Sequence, residues 1–475
     1  MKTICVIGLG YIGLPTASIL ATHGFNVVGV DVNPKVVDTI NKGSVHIQEP
    51  GLKTLVKAAV QSGNLHAVER PQAADVYIIA VPTPITEDKK ADLSFVRTAA
   101  ESITPLLRKG NLVILESTSP PGTCVELLKP ILESTGLRAG EDFYLAHCPE
   151  RVLPGRTVKE LIENERIIGG INRASAEKAA QIYRVFVEGG IHLTDCTTAE
   201  TVKLMENTYR DVNIALANEL AIVCEKLGID AWEVIRLSNL HPRVNIHLPG
   251  PGVGGHCLAV DPWFIVERFP AEARLIALGR RTNDSMPDHV VRRLKEILAS
   301  TKTNPFHPSR AGLADPSRPA GEVEVACGNS RTAAEIAVTA DADGFKGDTP
   351  THSDQGPWKI AVLGVSYKGN IDDARETPAL RVLQLLEKEG ISFSVYDPHV
   401  RDFPYELSTL KETVAGADCL LLLADHDEFK FLHPLEIGKL MRRPVVFDTR
   451  NMINTDLWRE YGFAVYCLGR GVGKG

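Results

Sequence analysis

The sequence predicts an α/β protein: an N-terminal Rossmann domain, a helical middle domain on one long spine helix, and a C-terminal Rossmann-like domain. Three observations predict it. The chain opens with an apolar strand, KTICVIGLG, that runs into a glycine-rich turn. Residues 197 to 230 carry apolar positions at helical spacing with no proline among them. At WKIAVLGVSYKG the strand-and-turn pattern returns.

In the first part, KTICVIGLG, FNVVGVD, VYIIAVPTP, NLVILEST and DFYLAHCPE read as strands separated by amphipathic helices. Continuous apolar runs alternating with helices indicate a parallel sheet covered on both faces. This places a doubly wound domain at residues 1 to 196. The helix at 197 to 230 is expected to start on Thr197 or Thr198 as cap and to stop at Gly228. It forms the spine of a helical domain over 197 to 300. Residues 301 to 357 are rich in Pro, Gly, Ser and Asp and read as a flexible linker with a short helix near TAAEIAV. A second α/β domain follows over 358 to 475, with strands in WKIAVLG, FSVYDP, DCLLLLADH, PVVFDTRN and AVYCLG. The two α/β parts echo one another: IAVLGV parallels ICVIGL, and Asp397 ends a strand as Asp31 does.

The bulk numbers exclude several classes. The chain has 475 residues and a net charge of −7, which argues against a general nucleic-acid binder. No apolar run is long enough to cross a bilayer. The strand pattern starts at once, so no signal peptide is expected and the reading is cytoplasmic. Nine cysteines without a paired framework point to thiols. Cys5, Cys419 and Cys467 read as small buried hydrophobes. No CxxC occurs, and no metal site is expected.

Gly8, Gly10 and Gly13 in GLGYIG follow a strand and open a helix. Asp31 ends the next strand near the spacing of a dinucleotide fingerprint. Gly8 allows the tight turn, Gly10 admits the pyrophosphate, and Gly13 lets helix and strand pack. With Tyr11 and Ile12 they form the expected cofactor loop. The charge of Asp31 would repel a 2′-phosphate, so NAD is favoured over NADP. Thr83 and Thr118, in VPTP and ESTSPPGT, sit beyond strand ends where cofactors bind, or serve as caps before proline turns.

Cys257 lies in GPGVGGHCLAVDPW. A structural cysteine in a glycine turn is the plain alternative, and zinc ligation with the adjacent His256 is disfavoured. Beside an NAD site, a thiolate opens another chemistry. It adds to an aldehyde, and the thiohemiacetal can lose a hydride to become a thioester that water releases as acid. Lys203 and Asn207 share one helix face and can stabilise an oxyanion and orient water, or are simply solvated. Asp261 can position Lys203 or the water. Glu150, ending HCPE, can act as base for hydrolysis.

Together GLGYIG, VPTP, ESTSPPGT, HCPER, KLMEN, GPGVGGHC and GVSYKGNIDDARETP resemble the UDP-glucose/GDP-mannose dehydrogenase family, in order and over nearly the whole chain apart from 301 to 357. The resemblance implies an NAD-binding domain, a helical dimerisation domain and a UDP-binding domain. It implies oxidation of the C6 alcohol of a nucleotide sugar to a carboxylate. It assigns Cys257 as nucleophile, Lys203, Asn207 and Asp261 as helpers, and Glu150 as the hydrolytic glutamate. For substrate it implies Arg151, Lys203, Asn207, Gly254, Lys368 and Arg450, supported by Arg375, and Arg243 reaching across from a neighbouring subunit. His241 and His256 either contact the sugar or bond the turn backbone. UDP-glucose enzymes read GGxCLPKD where this chain reads GGHCLAVD. The run is similar to the branch acting on UDP-N-acetyl-D-mannosamine, with UDP-N-acetylglucosamine or UDP-glucose as alternatives. The competing classes are a two-electron NAD dehydrogenase, in which Cys257→Ser would leave turnover largely intact, and a non-catalytic nucleotide-sugar regulator, which would have lost Cys257, Lys203 or the glycine fingerprint.

Overall fold

The computed structural model describes residues 2–153, 155–303 and 358–471. An eight-stranded sheet fills the first part: β1 Thr3–Ile7, β2 Asn26–Val30, β3 Leu65–Val68, β4 Val76–Ile79, β5 Leu112–Leu115, β6 Tyr144–His147, β7 Arg166–Gly170 and β8 Ile191–Asp195. Its order is β3-β2-β1-β4-β5-β6-β7-β8. The first six strands follow the dinucleotide-binding order, with the switch point between β1 and β4. The central strands are buried on both faces because Ile4, Val6 and Ile78 pack to one side and Cys5, Tyr77 and Ile79 to the other.

Two corrections apply to this sheet. β7 runs antiparallel to β6, so the sheet is not wholly parallel. The sequence reading also passed over β3, β7 and β8. β3 (LHAV) exposes His66, β7 (RIIGG) starts on an arginine and ends on glycines, and β8 (IHLTD) is only half-buried, so none has a continuous apolar run.

Helix α1, Gly13–Thr22, follows the glycine turn and is buried through nearly all its length. Helix α2, Cys196–Leu227, is the spine. Its cap is Asp195, which accepts from Thr198 N at 2.9 Å, and not a threonine as expected. A carboxylate one residue before the helix serves both as cap and as a favourable charge at its positive end. Gly228 ends it at φ +76°. Helices α3 Ala231–Ser238, α4 Asp261–Arg268 and α5 Arg274–Thr303 complete the middle part. Helix α5 continues to Thr303, three residues past the expected boundary. The expected linker from 304 on, with the helix near TAAEIAV, lies outside the described residues.

Helix α5 bridges two parts. Arg280 and Asn283 pair with α2, while Met286, Val290 and Leu294 join the core of the second sheet. That sheet has five parallel strands, β9 Lys359–Leu363, β10 Ser392–Tyr396, β11 Cys419–Leu422, β12 Val445–Asp448 and β13 Ala464–Cys467, in the order β10-β9-β11-β12-β13. The expected echo is physical. Gly8 and Gly364 turn at φ +91° and +87°. Asp31 accepts from Leu9 N at 3.2 Å, and Asp397 from Val365 N at 2.7 Å. Burial pushes the Asp397 carboxyl up, but His426 and the backbone N–H groups outweigh it and bring it down to about 2.

Cys5, Cys419 and Cys467 are buried as read. No described helix is long and apolar enough to cross a membrane.

Candidate active site

The crevice above β1 and β4 is shaped by its glycines. A Cβ on Gly13 would sit 1.8 Å from the Gly8 carbonyl oxygen, and one on Gly8 would meet the Ala80 oxygen at 2.6 Å. Gly10 faces open space. The turn therefore packs tightly at two glycines and leaves room at the third, beside the N-terminus of α1 where a pyrophosphate binds best. Asp31 is held by Leu9 N at 3.2 Å and Asn33 N at 2.9 Å. Thr83 and Thr118 are half-buried past β4 and β5, and Ser117 Oγ donates to Val81 O at 2.7 Å, tying the two loops together. These residues fit NAD. Gly13→Ala is expected to destabilise the domain by about 1–3 kcal/mol through overpacking and to raise the KM for NAD, measured by thermal melting and steady-state kinetics.

Around Cys257 the chain folds back on α2. Gly250 N donates to the buried Asn218 at 2.9 Å, and Arg280 Nη1 donates to Leu258 O at 3.3 Å. The Cys257 carbonyl accepts from Asp261 N at 2.8 Å, so α4 starts directly off the cysteine loop. Asp261 is buried and accepts from Asn207 Nδ2 at 2.6 Å. Burial pushes its carboxyl up to about 6, against the pull of Lys203 and Asn207. Cys257 is the one exposed thiol among the described cysteines. Surrounding protein still desolvates it. That raises its pKa first and the Asp261 charge raises it second, while Lys203, Arg210 and Arg375 pull it down. The structure thus brings Cys257, Lys203, Asn207 and Asp261 together.

The glycines beside Cys257 have a use the sequence did not suggest. A Cβ on Gly254 would meet the Glu376 oxygen at 2.4 Å, and one on Gly255 the Tyr367 ring at 2.8 Å. One on Gly250 would meet Arg450 Nη1 at 2.5 Å. The run is pressed against the third domain. Tyr367 lies near enough for the Cys257 charge to act on it, though burial and Asp373 weigh more in pushing its hydroxyl up to about 12. Arg375 pairs with Asp373 at 2.7 Å and stands 6.0 Å from the Tyr11 ring, joining the first and third domains. Tyr367 and Asp373 were missed, since they join the site only through folding, whereas Arg210, three residues past Asn207 on the same face of α2, could have been found from helical spacing.

The remaining candidates are distributed around this centre. Glu150 is buried, with one oxygen on Arg166 Nη2 at 3.0 Å and the other on Arg151 N at 2.7 Å. Arg151 pairs with Glu206 at 2.5 Å. His256 is exposed at the rim. Burial, then Arg375, lowers its pKa. His241 Nδ1 accepts from Arg243 N at 3.3 Å, the turn bond weighed for it. Among the described residues, His241 and Arg243 share no hydrogen bond or ion pair with the Cys257 cluster. Lys368 is exposed, and Arg450 pairs with Asp425 at 3.0 Å.

Behind Glu150, Arg166 stacks 4.7 Å from the centre of the Tyr183 ring, and Tyr183 donates to Glu116 at 2.7 Å. Burial pushes the Glu116 carboxyl up to about 7, against Arg166. A value above the ordinary one means the native state holds its proton longer. The contribution of Glu116 to stability is therefore fully present below about pH 4.5 and is lost as pH rises towards 7, by about 3 kcal/mol in all. Glu116→Gln should flatten melting temperature against pH across that window; an unchanged slope would contradict this.

Comparison with known proteins now decides the family. Residues 2–187 match the UDP-glucose/GDP-mannose dehydrogenase family NAD binding domain, 197–285 its central domain, and 361–455 its UDP binding domain. The chain belongs to this family. It is an NAD-dependent nucleotide-sugar dehydrogenase, and its last domain serves a UDP-sugar substrate. It is 47% identical to the UDP-N-acetyl-D-mannosamine dehydrogenase of Methanocaldococcus jannaschii, over 99% of this chain and 97% of the relative. It is 42% identical to the NDP-N-acetyl-D-galactosaminuronic acid dehydrogenase of Ralstonia nicotianae, over 95% and 96%. The solved UDP-D-ManNAc dehydrogenase of Pyrococcus horikoshii superposes with a TM-score of 0.83 at 40% identity, covering 99% of both chains.

Proposed function

We propose that this dehydrogenase converts UDP-N-acetyl-D-mannosamine to UDP-N-acetyl-D-mannosaminuronate in a four-electron oxidation at C6, with Cys257 as nucleophile. The observation that carries this is the Cys257, Lys203, Asn207 and Asp261 cluster, one exposed thiol beside a lysine and a buried amide–carboxylate pair. The names of the relatives support the sugar.

NAD would be held by the GLGYIG turn, Asp31, Thr83 and Thr118 and would supply the hydride acceptor, one molecule of NAD being consumed in each of the two oxidations. The thiol rests protonated, since burial and Asp261 both raise its pKa. Lys203, Arg210 and Arg375 provide the positive field that favours the thiolate. The thiolate adds to the C6 aldehyde, and Lys203 steadies the oxyanion so formed. Asn207, fixed by Asp261, orients the reacting oxygen. After oxidation to the thioester, Glu150 accepts a proton from the attacking water through a lone pair its two hydrogen bonds leave free. Water adds to the acyl carbon, the C–S bond breaks, and the thiolate of Cys257 is regenerated.

Glu150→Gln should slow thioester hydrolysis by roughly 10²–10⁴-fold and leave a covalent sugar adduct on Cys257, visible by intact-mass spectrometry. Absence of any adduct would remove Glu150 from that role. Lys368, Arg450 and Arg375 hold the nucleotide sugar from the third domain, with Gly254, His256 and Arg151 beside it.

The domains divide at 196 and after the end of α5 at Thr303, and copies associate through α2, whose Tyr209, Leu216 and Leu227 are exposed. Arg243 then serves the neighbouring copy, and the protein works in the cytoplasm. The sugar is tested by comparing kcat/KM for UDP-ManNAc, UDP-GlcNAc, UDP-GalNAc and UDP-glucose. A preference for UDP-GalNAc would move the chain to the second group of relatives.

A further inference from the structure

Cys124, His147 and Glu200 come from three separate elements and meet in the interior. Their ligand atoms, one sulfur, one ring nitrogen and one carboxylate oxygen, all lie within 4.8 Å of one another. All three side chains are fully buried. The thiol of Cys196, also buried, donates to Gly169 O at 3.5 Å and lies close enough to that of Cys124 to influence it. Neither ring nitrogen of His147 makes a well-formed hydrogen bond, although the ring lies near the Leu115 backbone. A buried polar group left unpaired costs about 1–3 kcal/mol, and such groups are rare in folded proteins.

We propose that Cys124, His147 and Glu200, with Cys196 as the nearest fourth donor, bind a zinc-class divalent cation in a structural role. Sulfur, imidazole and carboxylate are the donors zinc takes, at about 2.0 to 2.3 Å. Donors sharing one ion at such lengths stand roughly 3.5 Å apart, so from separations of up to 4.8 Å the three close by at most about 1.3 Å. Imidazole ligates in its neutral form, through either ring nitrogen. The Cys124 thiol loses its proton to solvent on binding. Its thiolate and the Glu200 carboxylate then balance the two charges of the ion, and Cys196 fills the fourth position as a neutral thiol that keeps its proton, so no net charge is buried. Glu200 already accepts from Gly122 N at 2.6 Å and Cys124 N at 2.8 Å, which aims its carboxylate, and each oxygen keeps a second lone pair.

The placement gives the ion a purpose. Cys124 follows the loop of Thr118, His147 ends β6 three residues before Glu150, and Glu200 stands one turn before Lys203 on α2. A cation here fixes these three elements relative to one another and touches no reacting atom.

The test uses the full chain, stripped with chelator under reducing conditions and titrated with Co²⁺ in a Cys257→Ser background that removes the exposed thiol. One equivalent should bind with a thiolate-to-cobalt charge-transfer band and the visible spectrum of a tetrahedral ion, and Zn²⁺ should displace it. Cys124→Ser should abolish the charge-transfer band, and His147→Gln should weaken binding at least about tenfold. No band, or a band unchanged in Cys124→Ser, would overturn the proposal. So would a Cys124–Cys196 disulfide in chain purified without reductant, because it leaves no thiolate to bind. If His147→Gln fails to fold, the Cys124→Ser comparison still decides.

Discussion

Cys257→Ser is expected to lose acid formation by on the order of 10⁴-fold, a nucleophile-sized loss, while melting at the temperature of the parent chain. Serine is nearly isosteric, and the residue is exposed, so the fold has little reason to notice. The hydroxyl, however, stays protonated where a thiol can ionise, and an ester-forming adduct lacks the thiolate that drives the second oxidation. Product analysis should find at most aldehyde-level oxidation. Acid produced at close to the parent rate would return Cys257 to a structural role in its glycine turn.

Arg280→Met is expected to cost about 3–5 kcal/mol of stability, the loss seen when one partner of a buried pair is removed. Arg280 is 1% exposed and pairs with Asp211, which is 0% exposed, at 2.5 Å; it also binds Asp284. Without it, Asp211 keeps only Asn283, at 2.8 Å, as partner for its buried charge. Burial already pushes that carboxyl up, with Arg280 as the main opposing influence. The double variant Arg280→Met/Asp211→Leu should recover much of the loss, since well-packed apolar groups replace such pairs at little cost. Urea unfolding of the single and double variants measures both. Because Arg280 also holds the Leu258 carbonyl, the single variant should lower kcat as well. A stability unchanged in Arg280→Met would mean that this pair does not anchor α5 to α2.

Much of this was readable in the chain, for physical reasons. The central strands announce themselves because burial on both faces demands unbroken apolar runs, as in TICVI and VYII. The glycine turn with Asp31 was legible because a side chain at Gly8 or Gly13 would collide with the backbone, while Gly10 leaves open space for a ligand. The Lys203 and Asn207 spacing was legible because α2 is regular. What failed to show were strands without such runs, as in IHLTD, and contacts made by distant segments. Arg166, which holds Glu150, begins a strand the pattern did not reveal. Tyr367 and Asp373 reach the Cys257 loop only through the packing of the third domain. The cap on α2 was misplaced by two or three residues because Asp195 and the threonines are all good caps, and only the chain path chooses among them.

The central claim is that one chain carries both oxidations through Cys257, and its most direct measurement is the NADH yield from a limiting amount of UDP-ManNAc, with UDP-GlcNAc, UDP-GalNAc and UDP-glucose in parallel. The account predicts two NADH per UDP-ManNAc and a carboxylate product. One NADH per sugar, with aldehyde as the product, would contradict it.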